Sequence, residues 1–102
     1  MNVCLFYLTC ADSKKADKIS KALLEKRLIV CGKKLSINSS YLWKGKTNNS
    51  DEILLLMESI EENFDKVNEE IKKLHSYETY VLLTIPVSKT TKKVKEWIKD
   101  EL

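Results

Sequence analysis

Residues 29–46 read Ile29-Val30-Cys31-Gly32-Lys33-Lys34-Leu35-Ser36-Ile37-Asn38-Ser39-Ser40-Tyr41-Leu42-Trp43-Lys44-Gly45-Lys46, an extended, proline-free stretch in which apolar residues alternate with Ser, Asn and Lys. Such alternation is a strand pattern. At about 3.3 Å per residue it would reach roughly 55 Å, about twice the diameter expected of a domain this size. The turn signal Lys46-Thr47-Asn48-Asn49-Ser50 follows, and Asp51 to Ile60 supplies a second strand, so the two form a hairpin. The second run is too short to pair with all of the first. Its unpaired backbone groups need another strand, a bend or water, and an exposed edge of that length is an aggregation liability. Regular pairing with another copy of the chain is the economical solution, and the chain reads as an oligomer.

Upstream, Val3 to Cys10 is a continuous apolar run, the mark of a central strand covered on both faces. Asp12 and Ser13 offer N-cap oxygens to a first helix whose face is Ala16, Ile19, Leu23 and Leu24, closed by Lys26 and Arg27. Downstream, Phe64, Val67, Ile71 and Leu74 mark one face of a second helix, with Glu61, Glu62 and Asp65 at its start and Lys72 and Lys73 at its end, matching the macrodipole. Tyr80 to Ile85 is a fourth strand stopped by Pro86, and Val94, Trp97 and Ile98 line a terminal helix, with Trp97 expected in the core. The order βαββαβ plus a C-terminal helix predicts an α+β, ferredoxin-like split βαβ sandwich, a single domain over 1–102.

Composition narrows the function. The chain has 43% hydrophobic and 32% charged residues, so disorder and fibrous repeats are excluded. A net charge of +3, with Lys14, Lys15, Lys18 and Lys21 interspersed among acids and apolar residues, names no nucleic-acid binder. The N-terminal apolar run lacks a positive n-region and is too short to span a membrane, so a cytoplasmic protein with no membrane partner is expected. Cys4, Cys10 and Cys31 show no Cys-x-x-Cys spacing and read as free thiols. No Ser/His/Asp order, His-Glu-x-x-His motif or paired-carboxylate constellation is present, and two glycines leave no room for a phosphate-cradling loop. The chain is not expected to be an enzyme. Acylphosphatases share the fold but use an arginine and backbone amides near the first strand–helix loop, where Asp12 places an anion. RNA-recognition modules need an open aromatic face, whereas Phe6 and Tyr7 point to opposite faces.

The informative polar cluster is Leu74-His75-Ser76-Tyr77-Glu78, which puts an acceptor, a donor and an anion at one corner between helix and strand. His75 is either satisfied by Glu78 or a backbone carbonyl, or it ligates a metal ion through its free imidazole nitrogen. Trp43 with Tyr41 on the arm reads as a packing anchor at a subunit contact before a ligand platform. Cys31 inside a strand reads as a small buried hydrophobe, although a thiol is also the softest ligand in the chain. Cys4 and Cys10 take the same bland reading.

Three segments in this order, Leu28-Ile29-Val30-Cys31, Tyr41-Leu42-Trp43-Lys44-Gly45-Lys46 and Leu74-His75-Ser76-Tyr77-Glu78, resemble the CutA divalent-cation tolerance proteins, whose motifs are L-A-A-C-V-N, Y-x-W-x-G and H-P-Y-E-x-P. The resemblance covers nearly the whole chain. It implies a homotrimer with PII-like architecture and a role in the response to copper and other divalent cations. No organic cofactor is implied. The family's shared positions fall on Cys31, Trp43, Gly45, His75, Tyr77 and Glu78. Metal is expected at His75, Cys31 and Glu78, and Trp43, Tyr77 and Tyr41 are expected at an inter-subunit cleft. The alternative is a trimeric signalling or scaffold module that binds a small ligand or partner protein there. Lys33 replaces the family's asparagine, and Ser76 and Tyr80 replace its two prolines, which relaxes the corner.

Overall fold

In β1 (Val3–Cys10), every second side chain, Cys4, Phe6, Leu8 and Cys10, is fully buried, which fixes this strand's orientation in the sheet. The computed structural model describes all residues, 1–102. After β1 come α1 (Ser13–Glu25), β2 (Cys31–Trp43), β3 (Lys46–Ile60), α2 (Phe64–Leu74), β4 (Leu82–Pro86) and α3 (Lys92–Glu101). The strands form one antiparallel sheet of order β2-β3-β1-β4, the ferredoxin-like arrangement. Helices α1 and α2 cover one face, where Ala16, Ile19, Leu23, Val67 and Ile71 meet Phe6, Leu8, Leu55 and Met57. Gly32 faces α1, and a Cβ there would lie 2.3 Å from Ser20 Oγ, so a larger residue would make that hydroxyl rotate away.

The hairpin differs from its expected form. Its turn is Lys44-Gly45, both left-handed (φ 51° and 77°), a two-residue connection whose twist matches the flanking strands. Residues 47–50 are strand, so β3 pairs all of β2, from Cys31 opposite Glu58 to Trp43 opposite Lys46. β3 thus pairs one edge of β2 along its whole length, while the outer edge of β2 and the other edge of residues 46–52 have no partner strand within the chain. Side-chain amides explain why Asn and Ser form strand here instead of a turn. Asn38 donates to Asn49 Oδ1 at 3.0 Å and to Asp51 Oδ1 at 2.9 Å, and Asn49 returns a bond to Asn38 Oδ1 at 2.8 Å. This polar ladder ties the two strands where no helix covers them. β1 reaches only as far as Ile53, so residues 46–52 and their partners project as an arm of about 23 Å.

Two side chains expected inside are outside. Leu24 and Trp97 are each 42% exposed, because the neighbouring Leu23 and Ile98 take the inward direction and adjacent helical residues point about 100° apart. β4 begins at Leu82, not Tyr80, and runs through Pro86. Proline is tolerated on an outer strand.

α1 ends in a Schellman turn, with Leu28 N–H bonded to Leu23 O at 2.9 Å and Arg27 N–H to Leu24 O at 3.0 Å. Arg27 holds the left-handed position (φ 55°) that favours glycine, and its guanidinium reaches Glu101 at 2.8 Å. Both partners of that ion pair are half-exposed or more, so it contributes at most about 1 kcal/mol. The left-handed strain costs about 1–2 kcal/mol. Arg27→Gly is therefore expected to stabilise the fold by about 0.5 kcal/mol, and by about 1 kcal/mol in a Glu101→Gln background, measured by denaturant unfolding.

Candidate functional site

Neither α1 nor α2 lies on the sheet's second face. In register across the strands it presents Leu83, Tyr7 and Leu56 in one row and Ile85, Leu5 and Glu58 in the next, with Leu54, Leu35 and Ile37 toward the arm. Leu35, Val81, Leu83 and Ile85 are all exposed.

At the arm end of this face lies the corner after α2. The His75 Nε2–H donates to the Thr9 carbonyl at 2.8 Å, and the Tyr77 backbone N–H donates to His75 Nδ1 at 3.0 Å. These two bonds select the neutral Nε2–H tautomer, and a backbone carbonyl satisfies the imidazole. The ring stacks on Tyr80 with centroids 5.0 Å apart and meets Tyr77 at 4.8 Å. Burial, aided by Lys15, pulls its pKa down, against opposing effects of the Thr9 bond and Glu52. A histidine with a lowered folded pKa binds fewer protons than in the unfolded chain, so its contribution is complete above about pH 6.5 and is lost as pH falls below that value. Thermal melts between about pH 7.5 and 5.5 are expected to show this loss, and His75→Gln is expected to flatten the slope in that window.

The corner turns Tyr77 toward β3, where its hydroxyl donates to Glu52 Oε2 at 2.7 Å. Burial and this carboxylate hold the phenol far above its ordinary pKa, so it remains a donor. Tyr41 is within hydrogen-bond distance of Ser50 Oγ, at 3.0 Å. Between arm and corner is a cleft of about 670 Å³ whose walls include Tyr7, Tyr41, Trp43, Glu52, Tyr77 and Glu78. The structure thus brings Tyr41, Trp43, Tyr77 and Glu78 together.

Cys31 stands apart. It lies opposite Glu58, whereas His75 contacts Thr9, which lies opposite Leu54, four residues and about 13 Å further along β3. Cys31 is partly exposed on the open face, with Lys33 Nζ 3.4 Å from its sulfur and paired to Glu58. Nowhere in the chain do three His, Cys, Asp or Glu side chains converge in a way that would hold an ion. Cys4 and Cys10 are buried thiols pushed up to about 12 and about 11, mainly by burial. Glu52 and Tyr7 were not anticipated as cleft residues. Glu52 shares a face with Leu54 and Leu56 by the period of two, but its pairing with Tyr77 depends on tertiary contact.

The model of the CutA1 divalent ion tolerance protein family matches residues 4–101. The chain belongs to the CutA family. Among its relatives, CutA from Thermotoga maritima is 35% identical over 98 residues, covering 96% of this chain and 97% of that one. CutA from Archaeoglobus fulgidus is 33% identical over 94 residues, covering 92% of each chain. The solved structure of that archaeal protein, described as a periplasmic divalent cation tolerance protein, superposes with a TM-score of 0.95 at 31% identity, covering 97% of both chains. CutA1 from Thermus thermophilus superposes at 0.94 with 27% identity, again covering 97% of both. No helix of this CutA-family chain is long and apolar enough to cross a membrane.

Proposed function

We propose that this chain serves divalent-cation tolerance without catalysis, as a cytoplasmic homotrimer of PII-like architecture that takes up copper or a similar divalent ion weakly. The open sheet face carries the trimer reading. A row of Leu, Ile, Val and Tyr side chains left uncovered on one side of a four-stranded sheet matches the inner surface of an assembly more than a solvated face.

Metal uptake is assigned to His75 and Glu78 for Cu(II) and to Cys31 for Cu(I). One chain alone does not fit a closed site. His75 Nδ1 must exchange its bond from the Tyr77 N–H for the ion, at a cost of about 0.5–1.5 kcal/mol. The remaining ligands must come from another subunit or from water, so binding is weak. Calorimetric titration of the wild type with Cu(II) is expected to give saturable binding, weakened about tenfold in His75→Ala with particle mass unchanged. Unaltered affinity in that variant removes His75 from the site. No copper binding by the wild type moves the assignment to a signalling or scaffold module, the reading favoured by the cleft beside the arm.

A further inference from the structure

We infer that the outer surface of α1 is a docking site for an acidic α-helical segment of a partner protein, one with carboxylates a turn apart followed by an apolar residue. This goes beyond metal tolerance and does not depend on it. The surface belongs to the helical layer, which stays outside when the opposite sheet face is sealed.

Helical spacing lays this surface out. Ala16, Ile19 and Leu23 bury α1 against the sheet, and Lys14, Lys18 and Lys21 fall about 180° around the helix from them, exposed in a row about 10 Å long. None of the three lysines has an ion-pair partner in the chain. Asp17 is placed to neutralise them, three residues after Lys14 and four before Lys21, but its carboxylate is held by Lys34 of β2 at 2.7 Å. Asp12 is used as the N-cap, accepting from the Lys15 N–H at 2.8 Å. Lys14 and Lys18 repel each other across one turn, and Lys14 stands in the first turn, where the macrodipole is already positive. α2 has the favourable order instead, with Asp65 in its first turn and Lys72 and Lys73 in its last. Charge set against its own helix, with no compensation inside the chain, marks a surface shaped for an external anion.

The rest of the surface chooses among anions. Three lysines are few for a nucleic acid, whose binding at physiological salt draws on about six to ten phosphate contacts. No aromatic side chain stands on α1 to stack a base. A bilayer takes up a row of apolar side chains, whereas the one exposed large apolar residue of α1 is Leu24. Leu24 lies one turn beyond Lys21 and supplies a single anchor, as at the seam of a helix pair whose flanking charges select the partner. Glu25, exposed and in line after Lys21, sets the register, because a matching segment has carboxylates opposite the lysines and none opposite Glu25.

The test is fluorescence anisotropy of a labelled, alanine-based helical peptide of about twenty residues, with glutamates at i, i+4 and i+7 and a leucine at i+10, titrated with the whole protein. Saturable binding is expected, weakened about tenfold or more when Lys14, Lys18 and Lys21 are all changed to Gln. A control with the same net charge, in which Lys92, Lys93 and Lys95 of α3 are changed to Gln, is expected to bind as the wild type does. The peptide with glutamine in place of glutamate is expected not to bind. Lys18→Glu is expected to lose the first peptide and to take up one whose central glutamate is lysine, which reads register and not net charge. Absence of peptide binding, wild-type affinity in the α1 variant, or equal loss in both triple variants overturns the inference. So does tighter binding of a DNA duplex or of anionic phospholipid vesicles that the α1 variant loses, since the surface then belongs to that anion. Should the triple variant fail to fold, Lys18→Gln alone carries the same comparison.

Discussion

A Leu83→Asp chain is expected to sediment and scatter as a folded monomer at micromolar concentrations where the wild type is expected to be a trimer. Leu83 lies on the uncovered face beside Tyr7 and is 48% exposed in the single chain, so the substitution takes little from the subunit's own core. In an assembly that seals this face, the same position loses about 1.5–3 kcal/mol of leucine burial. An unpaired carboxylate adds a desolvation cost of several kcal/mol. Three-fold symmetry repeats the loss in each subunit, and every 1.4 kcal/mol is about tenfold in association. Multi-angle light scattering decides the matter, and a Leu83→Asp protein of wild-type mass would place the interface elsewhere. The wild-type melting temperature is expected to rise with protein concentration, and the variant's to be independent of it.

Phe6→Ala is expected to cost about 3–5 kcal/mol and bring the subunit near its unfolding threshold. Phe6 is fully buried at the centre of β1, under both helices, and meets the Phe64 ring edge-on with centroids 6.1 Å apart. Removing it leaves a void that touches β1, β3 and α2 at once, and neighbours held in two layers cannot close it. For a chain of this length, each 1 kcal/mol moves the midpoint by about 4–8 °C, so a fall of more than about 12 °C is expected in thermal melts. A drop below about 4 °C would mean that the core relaxes around the gap.

Elements whose signal is local periodicity were legible in the sequence. β1 over Val3–Cys10, α2 over Phe64–Leu74 and the βαββαβ order match the structure, because alternation and helical spacing are written residue by residue. Asn48-Asn49-Ser50 carries turn composition yet lies in strand, where the Lys44-Gly45 turn sets the backbone pairing and Asn49 bonds across to Asn38 and Ser40. Another copy of the chain is called for both by the open outer edge of β2 along the arm and by the exposed apolar side chains of the sheet. At the site, the family motifs single out Tyr41, Trp43, Tyr77 and Glu78 one by one, but their shared wall of a cleft within one chain is tertiary and no local pattern announces it. The partner of His75 did not, since the Thr9 carbonyl is a main-chain atom 66 residues away and no side chain announces it. Trp97 lies outside for a simpler reason: adjacent helical residues compete for one inward direction, and Ile98 takes it.

Because β3 serves both the helix-covered core and the open face, the run Ile53-Leu54-Leu55-Leu56-Met57 is apolar on every side chain. During synthesis this window leaves the ribosome before α2 and β4 exist to shield it. A short, uncharged, β-prone segment in that state is a seed for intermolecular stacking. The carboxylates that bracket it, Asp51 and Glu52 before and Glu58 after, act as gatekeepers whose repulsion opposes stacking in register. Neutralising them would show first as lost soluble yield, even where the purified protein melts unchanged.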